Sequence, residues 1–336
     1  MHYYCCLVVL LLRFAFVALD AAVEAATSTS GEEACGADQS NQRWDPSADQ
    51  PCNIRRMPQS EVIRRFGSLG LPSLYPYPLV IYPDGDENTR NQHFANLTTQ
   101  EHLPLQFASN FNVTLTGSDS LSSHRRTIPL KQYLHEVMHK NGGQTSPDQL
   151  GNETWYLFGE THSVEWKKFL QQYNLPSCHS CTPMHYHQGL IALSFGIGNV
   201  GSGVQWHLHG PGFSETIHGR KHWVLYPPEN RPSYNLDYAS RHWMEYYYPT
   251  LDNWTEAEFE IQHQNHDQFL EQWRQRAVTS SGDNIIPSKG PSSKRPFECT
   301  INSGEMIYFP DGWHHATINL DRYTVFVSSF TTEHED

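Results

Sequence analysis

Pro310-Asp311-Gly312-Trp313-His314-His315-Ala316-Thr317-Ile318-Asn319 belongs to a stretch that opens at Gly304 and spaces its special residues as Gly-x5-Pro-x-Gly-x2-His-x3-Asn. The glycines and the proline force a tight turn between two short strands, which places His315 at the mouth of a barrel. Far upstream lies Trp206-His207-Leu208-His209. In a strand, side chains two apart share a face, so His207 and His209 point into one cavity. A third imidazole arriving from a distant strand completes one face of a metal ion and leaves the other positions open. Imidazole suits iron, zinc, copper and nickel. The two stretches together predict a mononuclear metal centre inside a small β-barrel.

Working outward, the chain reads as short strands separated by glycine and proline turns. Leu79-Val80-Ile81-Tyr82 is a buried strand stopped by Pro83-Asp84-Gly85. Further strands are predicted over 112–116, 155–158, 190–197, 222–226, 297–301, 306–309 and 324–328. Helices are predicted over 60–66, with Ser60 as N-cap, over 97–107 and over 128–138. Residues 229–296 read as an insertion, helical over 256–277 and then rich in Ser, Gly and Pro. The fold class is mainly β with flanking helices, a double-sheet jelly roll. The predicted domain spans residues 52–331, after a polar lead-in over 26–51, and residues 332–336 form a tail.

Lys and Arg number 23 against 36 Asp and Glu, a net charge of −13 that argues against a nucleic-acid surface. The first 25 residues read as a signal peptide, with an apolar run from Tyr3 to Leu19 broken by Arg13 and Val23-x-Ala25 as a cleavage site. That run is short for a membrane span, and no later segment is apolar enough to be one. Sequons at Asn96, Asn112, Asn152 and Asn253 are consistent with glycosylation in the secretory pathway. The terminal His334-Glu335-Asp336 is not a retrieval signal of the KDEL type. Once Cys5 and Cys6 leave with the signal, Cys35, Cys52, Cys178, Cys181 and Cys299 remain, an odd count with the pairing open. Cys178-His179-Ser180-Cys181 reads as a structural disulfide or a plain loop rather than a redox motif. His263, His266 and His334 sit in polar runs and read as solvated.

The stretch from Gly304 to Asn319 resembles the second cupin motif at every defined position. The first cupin motif, HxH followed by Glu and Gly, is matched less closely by His207, His209, Glu215 and Gly219. The wider resemblance is to the JmjC (jumonji C) family of Fe(II)/2-oxoglutarate oxygenases, which are cupin-like. It rests on Ile128-Pro129-Leu130-Lys131-Gln132-Tyr133-Leu134, Trp155-Tyr156-Leu157-Phe158, Gly201-Ser202-Gly203, Gly219-Arg220-Lys221-His222-Trp223 with Leu225-Tyr226-Pro227-Pro228, and Phe309 through His315.

The resemblance implies Fe(II) held by His207 and His315, with 2-oxoglutarate as cosubstrate. His209 stands where the family has a carboxylate, so the site lacks one negative charge, and Glu215 is the candidate fourth ligand that would restore it. Lys221 matches the residue that binds the distal carboxylate of 2-oxoglutarate, and Asn319 matches a residue close to the cofactor. The expected activity is hydroxylation of a protein substrate. The alternatives are a non-catalytic module acting through a protein partner, and a cupin metalloprotein with a three-His-one-Glu centre. The resemblance and the signal-like N-terminus together imply the endoplasmic reticulum lumen, with secretion as the alternative.

Overall fold

Strand alternation divides the apolar residues of this chain between one shared interior and two covered outer faces. The computed structural model describes residues 44–67, 71, 75–117, 125–137, 155–176, 191–232, 239–253, 255 and 294–331. The proposed signal peptide, the helix over 256–277, Asn152, Cys35, Cys178 and Cys181 lie outside them. In chain order the strands are β1 (Arg56–Pro58), β2 (Leu79–Tyr82), β3 (Asn112–Gly117), β4 (Arg125–Pro129), β5 (Trp155–Phe158), β6 (Ile191–Gly198), β7 (Gly212–His218), β8 (Arg220–Tyr226), β9 (Phe297–Asn302), β10 (Met306–Phe309), β11 (His314–Asn319) and β12 (Thr324–Thr331). The helices are α1 (Gln59–Phe66), α2 (Gln92–Leu97), α3 (Leu130–Gln132, running into a wide turn over Tyr133–Val137), α4 (Val164–Leu170) and α5 (Ser240–Tyr246).

The major sheet has the order β1-β2-β10-β7-β12-β6-β5-β3-β4, and the minor sheet β11-β8-β9. Among the described strands, all pairings are antiparallel except β1 with β2. Two facing sheets of mostly antiparallel strands make the jelly roll that the sequence predicts. Between them lies a core containing Trp223, Leu225, Ile301, Ile307 and Phe309. The outer face of the major sheet buries Leu157, Phe195, Ile217 and Val327 beneath α2 and α4. The outer face of the minor sheet buries Val224, Tyr226, Ala316 and Ile318 beneath Trp243 and Met244 of α5. Burying one such side chain contributes about 1.5–3 kcal/mol, so each helix has a reason to stay docked.

Three local expectations need correction. Ser60 is not the cap of α1: Pro58 occupies that position, and Ser60 donates its backbone N–H and hydroxyl to Asp84. The helix expected over 97–107 lies earlier, at Gln92–Leu97, and a separate 3-10 turn covers Leu103–Leu105, where Pro104 lacks the donor an α-helix needs. Helix 128–138 begins two residues late, because Ile128 and Pro129 complete β4 against β3.

Candidate metal centre

Residues 201–209 run as an irregular edge strand antiparallel to β11. Thr317 N donates to Val204 O, and His207 and His315 exchange both backbone hydrogen bonds, at 3.0 and 2.9 Å. The edge strand thus advances from 204 to 207 while β11 advances only from 317 to 315. This extra residue is a bulge, and bulges re-aim side chains. The strand can approach so closely because residue 203 is glycine: a Cβ there would lie 1.9 Å from the carbonyl oxygen of Thr317.

The outcome is a cluster of His207, His209 and His315 whose ligand nitrogens all lie within 4.8 Å of one another. His315 is buried, and the other two are partly exposed at the mouth. His314, the next residue along β11, is not in the cluster, as alternation requires. Each imidazole has its Nδ1 against a backbone carbonyl: Gln205 O at 2.7 Å for His207, Gly210 O at 2.8 Å for His209, and Trp313 O at 2.8 Å for His315. Carbonyls only accept, so each Nδ1 carries the proton and each Nε2 presents a lone pair. Backbone bonds that fix tautomer and ring angle are the support that metal-ligating histidines need. Burial drives the His207 pKa down to about 4. Burial, with the neighbouring imidazoles His207 and His209 adding to it, holds His315 well below its usual value. These two rings therefore stay neutral, as ligands must be.

Lys221 lines the same cavity as the three histidines, together with Phe158, Trp223, Phe309, Phe326 and Ser328. Its side chain is almost fully buried. The ammonium donates to Asn319 Oδ1 at 3.3 Å and stands 3.7 Å from the centre of the Phe326 ring. Phe326 reaches this position because residue 196 opposite it is glycine, where a Cβ would lie 2.1 Å from the ring. Asn319 is itself fixed by donating to Ser202 Oγ at 3.0 Å. Burial pulls the Lys221 pKa down to about 7. Among the described residues no carboxylate lines this cavity, so a buried ammonium faces it against a neutral amide and a ring face. That arrangement suits an anionic ligand.

Glu215 is not part of the centre, which corrects the expected fourth ligand. In β7 the side chain of Ser214 turns inward, meeting the inward Ser328 at 2.9 Å, so its neighbour Glu215 turns to the outer face. There the Glu215 carboxylate accepts from Arg90 Nη2 at 2.8 Å and from the Tyr173 hydroxyl at 2.5 Å. The three-His-one-Glu reading fails on that parity.

Sequence reasoning also missed the aromatic support: His315 lies beside Trp223 at 5.7 Å and Phe309 at 4.8 Å between ring centres. The register Thr317↔Trp223 puts Trp223 on the face of His315, but only the strand pairing reveals it. A second buried network, His222 with Glu298 and Tyr248, lies on the outer face of the minor sheet. Cys52 and Cys299 form a disulfide, which settles one pairing that spacing left open.

A jelly roll with three convergent imidazoles and a buried lysine in its mouth defines a cupin-type fold with a candidate metal site. The cupin-like domain family matches residues 81–334, and the chain belongs to the cupin-like JmjC family. Over 72% of its length it is 36% identical to JmjC domain-containing protein 8 of Rattus norvegicus, covering 71% of that protein. The Homo sapiens protein of the same name is 34% identical over the same share, with 72% of it covered. A shorter stretch, 41% of the chain and 12% of the relative, is 24% identical to Lysine-specific demethylase JMJ21 of Arabidopsis thaliana.

Proposed function

We propose that this chain is a metal-dependent oxygenase of the secretory pathway, working in the endoplasmic reticulum lumen on a protein side chain, with Fe(II) and 2-oxoglutarate as cofactors. One observation carries the reading: three Nε2 lone pairs converge in the cavity into which a buried lysine, with no carboxylate beside it among the described residues, also points. His207, His209 and His315 hold the metal. Lys221 takes the distal carboxylate of the cosubstrate, and Asn319 holds the ammonium in place. The aromatic walls keep water out, which strengthens every charge interaction within. Fe(II) and 2-oxoglutarate, when bound, supply the oxygen activation. Because three imidazoles bring no negative charge, the cosubstrate carboxylates are the main charge compensation for the dication and for Lys221.

The test is succinate release by the purified protein with Fe(II), 2-oxoglutarate and oxygen, compared with a His209→Asp variant. Release above a metal-free control is expected, and the variant, with its added carboxylate, should exceed the wild type several-fold. A second reading, an interaction module without turnover, is favoured by the ring of Phe326 lying over Lys221. Succinate at background from both proteins would select it.

A further inference from the structure

The Cys52–Cys299 disulfide is asymmetric in two ways. Cys52 is exposed on the segment before β1, while Cys299 on β9 has no exposed surface. The buried sulfur also has a cation beside it: Arg56 Nη1 lies 3.7 Å from Cys299 Sγ. The same guanidinium is paired with Glu305. In thiol–disulfide exchange a thiolate attacks the accessible sulfur, and the other sulfur must leave as a thiolate. Burial opposes that charge, whereas an adjacent arginine favours it.

We propose that Cys52–Cys299 is an exchangeable disulfide, attacked at Cys52 by small thiolates such as glutathione, with Cys299 as the leaving thiolate stabilised by Arg56. The glutathione sulfur forms a bond to Cys52 Sγ, the Cys52–Cys299 bond breaks, and its electron pair stays on Cys299 Sγ. A second glutathione displaces the first as oxidised glutathione and leaves Cys52 reduced. No other reductant is needed. The segment stays docked when the bond opens. Asn53 N donates to Glu298 O at 2.9 Å, Asn53 Oδ1 accepts from Glu298 N at 2.7 Å, and Asn53 Nδ2 donates to Pro296 O at 3.0 Å. Just beyond, β1 is held by β2. Opening therefore does not require unfolding, and the two sulfurs remain placed to re-form the bond.

The full chain is incubated with reduced glutathione under native conditions, quenched in acid and mapped by mass spectrometry, with circular dichroism followed in parallel. The adduct is expected on Cys52, with Cys299 as the free thiol, before any loss of circular dichroism. Arg56→Leu should slow exchange several-fold and Arg56→Lys should stay near the wild-type rate. Glu305→Gln, which releases the guanidinium from its carboxylate, should speed it. If the Arg56–Glu305 pair were only a clasp on β1, Arg56→Leu and Glu305→Gln would both speed exchange, which would overturn the proposal. An adduct on Cys299, or one that forms only as the protein unfolds, would overturn it as well.

Discussion

His314 and His315 are neighbours with identical side chains, yet only His315 joins the three-histidine cluster. The difference is alternation along β11, and it gives a direct test at the level of the residue. His207→Ala should remove most of the bound metal measured by elemental mass spectrometry, whereas His314→Ala should leave it within about twofold of wild type. The same parity governs Glu215, which turns to the outer face and neutralises Arg90 there. Removing one partner of a buried ion pair costs about 3–5 kcal/mol, because the other charge is left uncompensated. Glu215→Gln should therefore lower the unfolding free energy read from urea titration by that much while leaving metal per folded chain unchanged. A loss of metal at unchanged stability would make Glu215 a ligand of the ion after all.

The edge strand over 201–209 is the element on which the site depends. Its close approach to β11 requires glycine at 203, so Gly203→Ala should push His207 and His209 away from His315. Metal occupancy is expected to fall at least tenfold, with a lowered melting temperature. Wild-type occupancy in that variant would mean that the strand can yield without moving its histidines.

Much at this scale was legible in the sequence. The HxH pair and the glycine–proline turn before His315 have fixed spacing, and spacing is what alternation converts into a shared face. Strands such as β2, β10 and β12 are apolar runs with turn residues at their ends. What escaped has no such local signature. β7, Gly212–His218, mixes Phe213 and Ile217 with Ser214, Glu215 and Thr216, because its inward face lines polar space and its outward face holds an ion pair. α5 was hidden in what reads as an insertion, since only tertiary packing shows Trp243 and Met244 seated on the minor sheet. The supporting contacts of Trp223 with His315 and of Lys221 with Asn319 depend on register across strands far apart in sequence, which no single segment encodes.

At the scale of the whole molecule, the neutral imidazoles of His207 and His315 link stability to pH. The folded pKa of His207 is about 4 and that of His315 is also depressed. The unfolded chain takes up those protons near pH 6.5. Between these values the unfolded state binds more protons, so stability of the metal-free protein should fall as pH drops from about 6.5 toward 4. Urea titrations at stepped pH check this, and added metal should raise stability without flattening that slope, because the folded rings are already deprotonated there.

The secretory assignment is tested on the same scale. Asn96, Asn112 and Asn253 are exposed, and protein made in animal cells should gain mobility on a gel after glycosidase treatment, by the equivalent of at least two glycans. No shift would remove the support that the sequons give to the secretory reading.

The central claim is that His207, His209 and His315 together hold one catalytic metal ion. Elemental mass spectrometry of the protein purified without added metal, beside its His315→Ala variant, tests it most directly. The account predicts close to one metal ion per chain in the wild type and close to none in a folded His315→Ala protein. Equal metal content in the two, or none in the wild type even after Fe(II) is supplied under reducing conditions, would contradict it.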